Sequence, residues 1–335
     1  VYLRLFLIVW FSTATLWCCN IAVANNDTPQ TTKPGSEAKW PGPPPNPTTQ
    51  AEMERKGLEW VKRHAESGDA SAQYLLGKKY YFGVDVPKDY SQAQYWLRKA
   101  AEQGFPHAQW RLGFLYREGH GVRQDHEKAF TWFLRAAKQG DSFAQGVVGM
   151  LYLKGEGVPR DYERARKWFG TAALRGYPPA QTNLAAMYGR GLGVPQDDTE
   201  AAKWYRKAAE QGNQFAQLSL GVLLHMGMGV PQDYKEAAKW YRKAAERGNP
   251  VAQNNLGALF FRGLGVRRDD NEAVKWYQKA ADQGGSYGQY NLGWMYEKGL
   301  GIGKNITEAT KWYKKAAAQG HKKAKAALQR LRVEQ

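Results

Sequence analysis

The sequence predicts an all-α solenoid, a linear stack of antiparallel helix pairs with a 36-residue repeat. Three observations carry that prediction. Trp60, Trp96, Trp132, Trp168, Trp204, Trp240, Trp276 and Trp312 stand 36 residues apart without a slip of register. Gly68, Gly104, Gly140, Gly176, Gly212, Gly248, Gly284 and Gly320 keep the same step. Each interval reads as helix, glycine loop, helix, with capping residues at the starts. A chain of 335 residues would ordinarily divide into two or three domains, but the repeat makes it one array whose core grows with each unit.

The N-terminal stretch is of a different kind. Arg4 precedes an uncharged apolar run from Leu5 to Trp17 and then Ala22-Val23-Ala24, which reads as a secretory leader over 1–24, cleaved after Ala24. The alternative is an uncleaved inner-membrane anchor, since no charge falls between Arg4 and Asp27. Both cysteines, Cys18 and Cys19, lie in this segment, so a mature chain would have no disulfide and no thiol chemistry. Residues 25–50 are rich in Pro, Thr and Asn, a composition that makes an extended linker and no core. A lone amphipathic helix over 51–68, with Trp60 in register, reads as an N-terminal cap. Seven units follow at 69–104, 105–140, 141–176, 177–212, 213–248, 249–284 and 285–320, and a basic helix over 321–335 closes the array.

Within a unit the spacing fixes the elements. In the fifth, Ala216, Leu220, Leu223 and Leu224 share one face of the first helix, with Gly221 beside them where a neighbouring helix can approach. Gly227-Met228-Gly229-Val230-Pro231 makes the loop. Asp233 then caps the second helix, with Glu236 three residues on completing a capping box; Asp197 with Glu200, Asp269 with Glu272 and Asn305 with Glu308 repeat the pair. Ala237, Trp240, Tyr241, Ala244 and Ala245 form the inner stripe of that helix, so Trp96 through Trp312 are expected in the core. Glu200, Glu236, Glu272 and Glu308 precede Lys203, Lys239, Lys275 and Lys311, predicting i, i+3 ion pairs on an exposed face.

Units written Ala-x-x-x-Leu-Gly-x-x-Tyr, Gly-x-Gly-Val-x-x-Asp, Ala-x-x-Trp-Tyr-x-Lys-Ala-Ala and closing Gln-Gly resemble Sel1-like repeats of the tetratricopeptide-like superfamily. The resemblance covers nearly everything after residue 50. It departs locally at Ala185, where Gly is usual, at Asp85 for a loop Gly, and at Gly303 for the loop Pro. It implies a right-handed superhelical α-solenoid acting as an adaptor or scaffold without catalysis, often in a bacterial envelope. It also implies that the first helices line a concave groove. Three varied columns lie opposite the repeated stripe there, and aromatics gather at both ends of them. Tyr74, Tyr81, Trp110 and Phe114 with Arg117 make one expected partner-binding patch; Phe261, Tyr290 and Trp294 with Glu297 make the other, and His225 lies between. The expected ligand is a protein or peptide held in the groove.

The formal charge of +17 would draw an acidic partner, although much of it reads as solvated helix faces. No nucleic-acid motif accompanies it, so no nucleic-acid partner is expected. A membrane is involved only through an uncleaved leader. Hydrophobic residues at 43% exclude a disordered chain. Gly284-Gly285-Ser286-Tyr287-Gly288 matches a hydrolase nucleophile pattern, but here it joins two helices; Ser36-Glu37-Ala38-Lys39 matches a penicillin-interacting pair, but it lies in the linker. His64, His107, His120, His126, His225 and His321 have no metal-ligand spacing, and no cofactor or metal is expected. The reading is therefore an exported, non-enzymatic scaffold, periplasmic or secreted. Its rivals are a β-lactamase-like or penicillin-binding activity, as ascribed to the cysteine-rich Hcp relatives, and an envelope scaffold binding acidic glycan or lipid.

Overall fold

Helix boundaries follow from short polar residues and glycines at fixed places. The computed structural model describes residues 57–333. The expected leader, the linker and residues 51–56 of the expected capping helix lie outside the described residues. Sixteen helices and no strand are found among those described. They are α1 (Gly57–Glu66), α2 (Ala70–Phe82), α3 (Tyr90–Glu102), α4 (Pro106–Glu118), α5 (His126–Lys138), α6 (Ser142–Lys154), α7 (Tyr162–Leu174), α8 (Pro178–Arg190), α9 (Asp198–Glu210), α10 (Gln214–Met226), α11 (Tyr234–Glu246), α12 (Pro250–Arg262), α13 (Asp270–Asp282), α14 (Ser286–Lys298), α15 (Ile306–Ala318) and α16 (Lys322–Val333). Among the described residues the chain divides into two compact units, with the boundary between Gln196 and Asp197. In the first, the pairs α2/α3, α4/α5 and α6/α7 stand between α1 and α8; in the second, α10/α11, α12/α13 and α14/α15 stand between α9 and α16. This is the all-α solenoid class that the 36-residue step predicts.

The second helix of each pair starts at an Asp or Asn whose carboxyl or amide oxygen accepts an orphan N–H of the first turn: Lys128 to Asp125, Arg164 to Asp161 and Glu236 to Asp233. Only that half of the expected capping box forms. The Glu side chains serve other partners. Glu200, Glu272 and Glu308 take the expected lysines Lys203, Lys275 and Lys311 at 2.6, 2.7 and 3.3 Å. Glu236 departs from the pattern: it binds Arg206 of α9 at 2.5 Å and accepts from Trp240 Nε1 at 3.2 Å. First helices end on a left-handed glycine, Gly227 at φ 69° being typical.

The loop then lies on the preceding second helix. A Cβ on Gly229 would run into the backbone of Asp198, the first residue of α9, so backbone packs directly on backbone. Asp85 occupies this position in the first unit and is the one non-glycine with positive φ among the described residues, 61°. Its carboxylate pairs with Lys79, and Asp is among the side chains that tolerate this region.

The seam within a pair differs from the expected one in a physically simple way. In most repeats the residue after the Trp is the inner one: Leu97, Phe133 and Phe169 are wholly enclosed, as are Tyr241 and Tyr313, while Tyr205 is half-buried. Each lies against the first-helix glycine, where an added Cβ would come within 2.8 Å of Phe169 at Gly149 or 2.7 Å of Tyr241 at Gly221. The repeat Trp is thereby turned to the flank. Trp60, Trp96, Trp132, Trp168 and Trp204 are half-buried, and only Trp240, Trp276 and Trp312 are buried. Their exposed faces carry a cation from the next turn, with Lys207, Lys243, Lys279 and Lys315 Nζ 4.0 to 4.3 Å from the ring centres.

A buried glutamine joins each pair to the one before, and the sequence analysis passed over it. Gln73, Gln109, Gln145, Gln181, Gln217, Gln253 and Gln289 lie near the starts of α2, α4, α6, α8, α10, α12 and α14 and are all buried. Each donates to the alanine carbonyl eight residues earlier, at 3.0 to 3.3 Å, closing one of the orphan acceptors of a helix C-terminus. The Oε1 of Gln73, Gln109, Gln253 and Gln289 in turn accepts from the closing Gln103, Gln139, Gln283 and Gln319. Where Arg175 and Arg247 stand in that closing place, they reach the carbonyls of Gly140 and Gly212 instead, and the buried Oε1 atoms of Gln145 and Gln217 have no hydrogen-bond donor.

Two outcomes follow. Phe169→Ala removes the enclosed ring and should cost about 3–5 kcal/mol, whereas Trp168→Ala, already half in water, should cost clearly less; urea unfolding of the two variants checks the order. Arg175→Gln restores a donor for Gln145 while keeping a reach to Gly140, as Gln103 does with Gln73 and Gly68. The same measurement should find that variant more stable than the parent by about 1 kcal/mol.

Candidate partner-binding surface

The first helices have one face in the seam and one in water, and burial locates the division. In α12 the buried positions include Gln253, Asn254, Leu256, Gly257 and Phe260, while Asn255 and Ala258 are half-buried and Arg262 is exposed. The solvent stripe therefore runs through Asn255, Ala258 and Arg262. It lies to one side of the column containing Asn254 and Phe261.

That offset corrects several expected groove residues. Tyr74 and Trp110 are buried, Trp110 to 2% exposure, because their column points at the start of the next first helix: Tyr74 packs on Phe105 at 5.1 Å and Trp110 on Phe143 at 4.8 Å between ring centres. Phe114 is buried edge-on against Phe133 at 5.0 Å. Glu297 is buried and held by Arg330, Lys298 and the Tyr313 hydroxyl. These four are interior groups rather than anchors open to a ligand. Tyr81 and Arg117 are half-buried. The Tyr81 ring meets Tyr90 at 5.3 Å, and burial raises its phenol, with the neighbouring Tyr90 adding to the shift. The Arg117 guanidinium lies 4.6 Å from the Phe114 ring centre and its Nε donates to Glu118 at 2.8 Å.

In the C-terminal unit His225, Phe261, Tyr290 and Trp294 are half-buried. Phe261 and Trp294 meet edge to face at 5.3 Å, with the Arg268 guanidinium 5.5 Å from the Phe261 ring. Tyr290 stacks on His321 at 4.7 Å. His225 packs on Tyr234 at 5.2 Å; burial lowers its pKa and the positive Arg262 lowers it further. Structure thus brings Phe261 and Trp294 together at the edge of the solvent stripe, and gives Tyr290 and His225 packing partners of their own.

The sequence analysis missed the columns on the stripe itself. Asn183, Ser219, Asn255 and Asn291 form one of them; Phe82, Glu118, Lys154, Arg190, Met226, Arg262 and Lys298 form another at the helix ends. The first is Asn at three of these four positions, and the second varies between repeats. A helical wheel centred on Trp294, with Asn291 and Lys298 at i−3 and i+4, would have found them.

Ser286, at the centre of the nucleophile-like pattern, is the first residue of α14, and a Cβ on Gly288 would come within 2.6 Å of Ala280. The pattern is a helix contact. No group of His, Cys, Asp and Glu able to hold a metal is found among the described residues, and no described helix is long and apolar enough to cross a membrane.

The Sel1 repeat model matches the chain seven times in succession, at 70–105, 106–141, 142–177, 178–213, 214–249, 250–285 and 286–321. The chain belongs to the Sel1-repeat family. Among solved structures, this Sel1-repeat chain is similar to c5321, a protective antigen present in uropathogenic Escherichia coli strains, at 42% identity and a TM-score of 0.78 over 82% of the chain. It spans 59% of that protein's length. It is also similar to a Sel1 repeat protein from Oxalobacter formigenes, at 32% identity and a TM-score of 0.67, covering 99% of this chain and 90% of that one. No curated protein matches. Sel1-repeat proteins are generally non-enzymatic scaffolds that mediate protein–protein interactions.

Glu297 supplies a pH-dependent prediction. Burial by itself would raise its carboxyl, but charge and hydrogen bonding from Arg330, Lys298 and Tyr313 hold it down to about 2. A carboxylate depressed on folding contributes stability above the ordinary value near 4.3 and loses that contribution as pH falls toward about 2. Glu297→Gln should therefore be less stable than the parent at pH 7, with the gap closing between about pH 4 and pH 2 in thermal unfolding.

Proposed function

We propose that this Sel1-repeat protein is an exported, non-enzymatic scaffold that binds a protein or peptide on its first-helix faces. The observation that carries the reading is the contrast between repeated and unrepeated positions. Repeated residues such as Gly221, Tyr241 and Gln217 are enclosed in seams. Unrepeated Phe261, Trp294 and Arg262 stand on or beside the solvent stripe. Half-buried aromatic side chains beside cations are the composition of binding hot spots, although Trp294 also packs on the core formed with Ala309 and Tyr313.

The export part of the reading rests on the apolar run from Leu5 to Trp17 and the Ala22-Val23-Ala24 site after it, and puts the mature chain in the periplasm or outside the cell. The Pro-rich residues 25–50 then serve as a spacer. The seams use packing and backbone closure, and the hydrolase-like serine begins a helix, which supports a scaffold over a β-lactamase-like enzyme.

One experiment tests both parts. The full sequence, placed behind an initiator Met, is recovered from a bacterial envelope fraction together with its bound proteins. The expected mature N-terminus is Asn25, and the expected bound proteins are lost from Phe261→Ala/Trp294→Ala but kept by Lys239→Ala on α11. Retention of the same proteins by the folded double variant would refute the binding surface, and an intact Arg4 segment in the recovered chain would refute cleavage.

A further inference from the structure

The closing helix α16 is capped by a different chemistry from the first helices it follows. Before several first helices stands an Asp or Asn whose side-chain oxygen accepts the N–H three residues on: Ala72 to Asp69, Ala144 to Asp141, Ala216 to Asn213 and Ala252 to Asn249. The corresponding residue before α16 is His321, and the Ala324 N–H reaches its Nδ1 at 3.2 Å. A carboxylate or amide oxygen accepts throughout the neutral range, whereas an imidazole nitrogen accepts only while it carries no proton. Phe105, Tyr177 and Gly285 give no side-chain cap, but α4 and α8 start on a proline and α14 is held between α13 and α15. Helix α16 begins on Lys322 and ends the stack.

The surroundings of His321 favour the neutral ring. It is half-buried, stacked on Tyr290 at 4.7 Å and edge-on to Tyr287 at 4.9 Å. Stacking on a phenol would favour a cation. Burial and the charge of Lys323 oppose it, and the net shift of the imidazole is downward. Tyr287 and Tyr290 of α14 and Tyr313 of α15 stay uncharged in acid. Lys314 and Lys315 of α15 and Lys322 and Lys325 of α16 are cations, and Arg262 of α12 adds its charge to that of Lys323. The carboxylates of α14, α15 and the described α16, Glu297 and Glu308, are engaged by Arg330 and Lys311. A proton on Nδ1 therefore breaks the cap and sets a positive charge at the N-terminus of a helix whose first four residues already include Lys322, Lys323 and Lys325.

What α16 closes is substantial. Its Ala324, Ala327 and Leu331 complete a core with Ala309, Tyr313 and Ala316, and Tyr290 and Trp294 pack against that core. We propose that α16 is an acid-released end cap: protonation of His321 undoes the Ala324 bond and loosens α16 from the stack, uncovering Tyr313 and drawing Arg330 away from Glu297. The device is independent of the protein-binding reading, although Trp294 belongs to both. Its sign follows from the lowered imidazole: the loosened helix takes the proton more readily than the docked one, so docking weakens as pH falls below the ordinary histidine value near 6.5. The Glu297 carboxylate, held down to about 2, responds only in stronger acid.

The test is amide hydrogen exchange of the full chain, read by mass spectrometry between pH 7 and pH 5 and corrected for the intrinsic exchange rate at each pH. Protection across α16 should fall about fivefold or more over that range relative to α13, the combined effect of a lost cap and an added charge at a helix N-terminus. His321→Asn supplies the acceptor that Asn213 and Asn249 use, and should remove the step while keeping α16 protected at pH 7. His126→Gln, at the start of α5, should keep the step. A parent without the step, or the same step in His321→Asn, overturns the proposal. So does an equal loss in α13, which would be general acid unfolding. Should His321→Asn leave α16 unprotected at pH 7, His321→Asp, with the acceptor of Asp69 and Asp141, is measured in its place, and persistence of the step there overturns the proposal in the same way.

Discussion

The missing side chain at one first-helix position governs the rest of this architecture. With no Cβ at Gly221 or Gly149, the facing helix comes close enough for the ring of Tyr241 or Phe169 to lie on bare backbone. Close-packed interiors leave no slack for an alternative. That contact sets the rotation of the second helix, and the rotation places the neighbouring Trp on the flank with a lysine across its face. The same rotation decides which side of the first helix is left to solvent. The solvent-facing residues of the first helix are therefore a by-product of where glycine allows the helices to meet.

Much of the fold was legible in the sequence because its signals are local. Asp233 caps α11, Gly227 ends α10, and the 36-residue step recurs in the structure as helix pairs. What was misjudged depends on angles of a few tens of degrees around a helix axis. Trp240 and Tyr241 are adjacent in sequence, and both suit a core by composition. The hole at Gly221 decides that the tyrosine enters, as the hole at Gly149 does for Phe169, whose neighbour Trp168 remains half-buried. The same small angular error placed Tyr74, Trp110 and Phe114 in an open groove, when Tyr74 and Trp110 point at the next first helix and Phe114 lies against Phe133 of its own pair. Glu297 was taken for a surface acid because its partners, Tyr313 and Arg330, lie 16 and 33 residues away.

The candidate surface was legible in part. Phe261 and Trp294 were identified by their failure to repeat, and they do meet. Arg262 and Lys298 escaped notice because each is unremarkable among many lysines and arginines. Both end a first helix on its solvent side, a placement that becomes readable only once the rotation of the helix is known.

The glutamine links have a mechanical consequence. In a linear stack each joint bears on its neighbours alone, so the array yields where a joint is weakest. Gln73 with Gln103 and Gln109 with Gln139 clasp the early joints, and Gln253 with Gln283 and Gln289 with Gln319 clasp the late ones. At two other joints Arg175 and Arg247 hold the carbonyls of Gly140 and Gly212 and leave the Oε1 atoms of Gln145 and Gln217 without a donor. Within each unit, a pull along the stack would part that joint before the doubly bonded ones beside it.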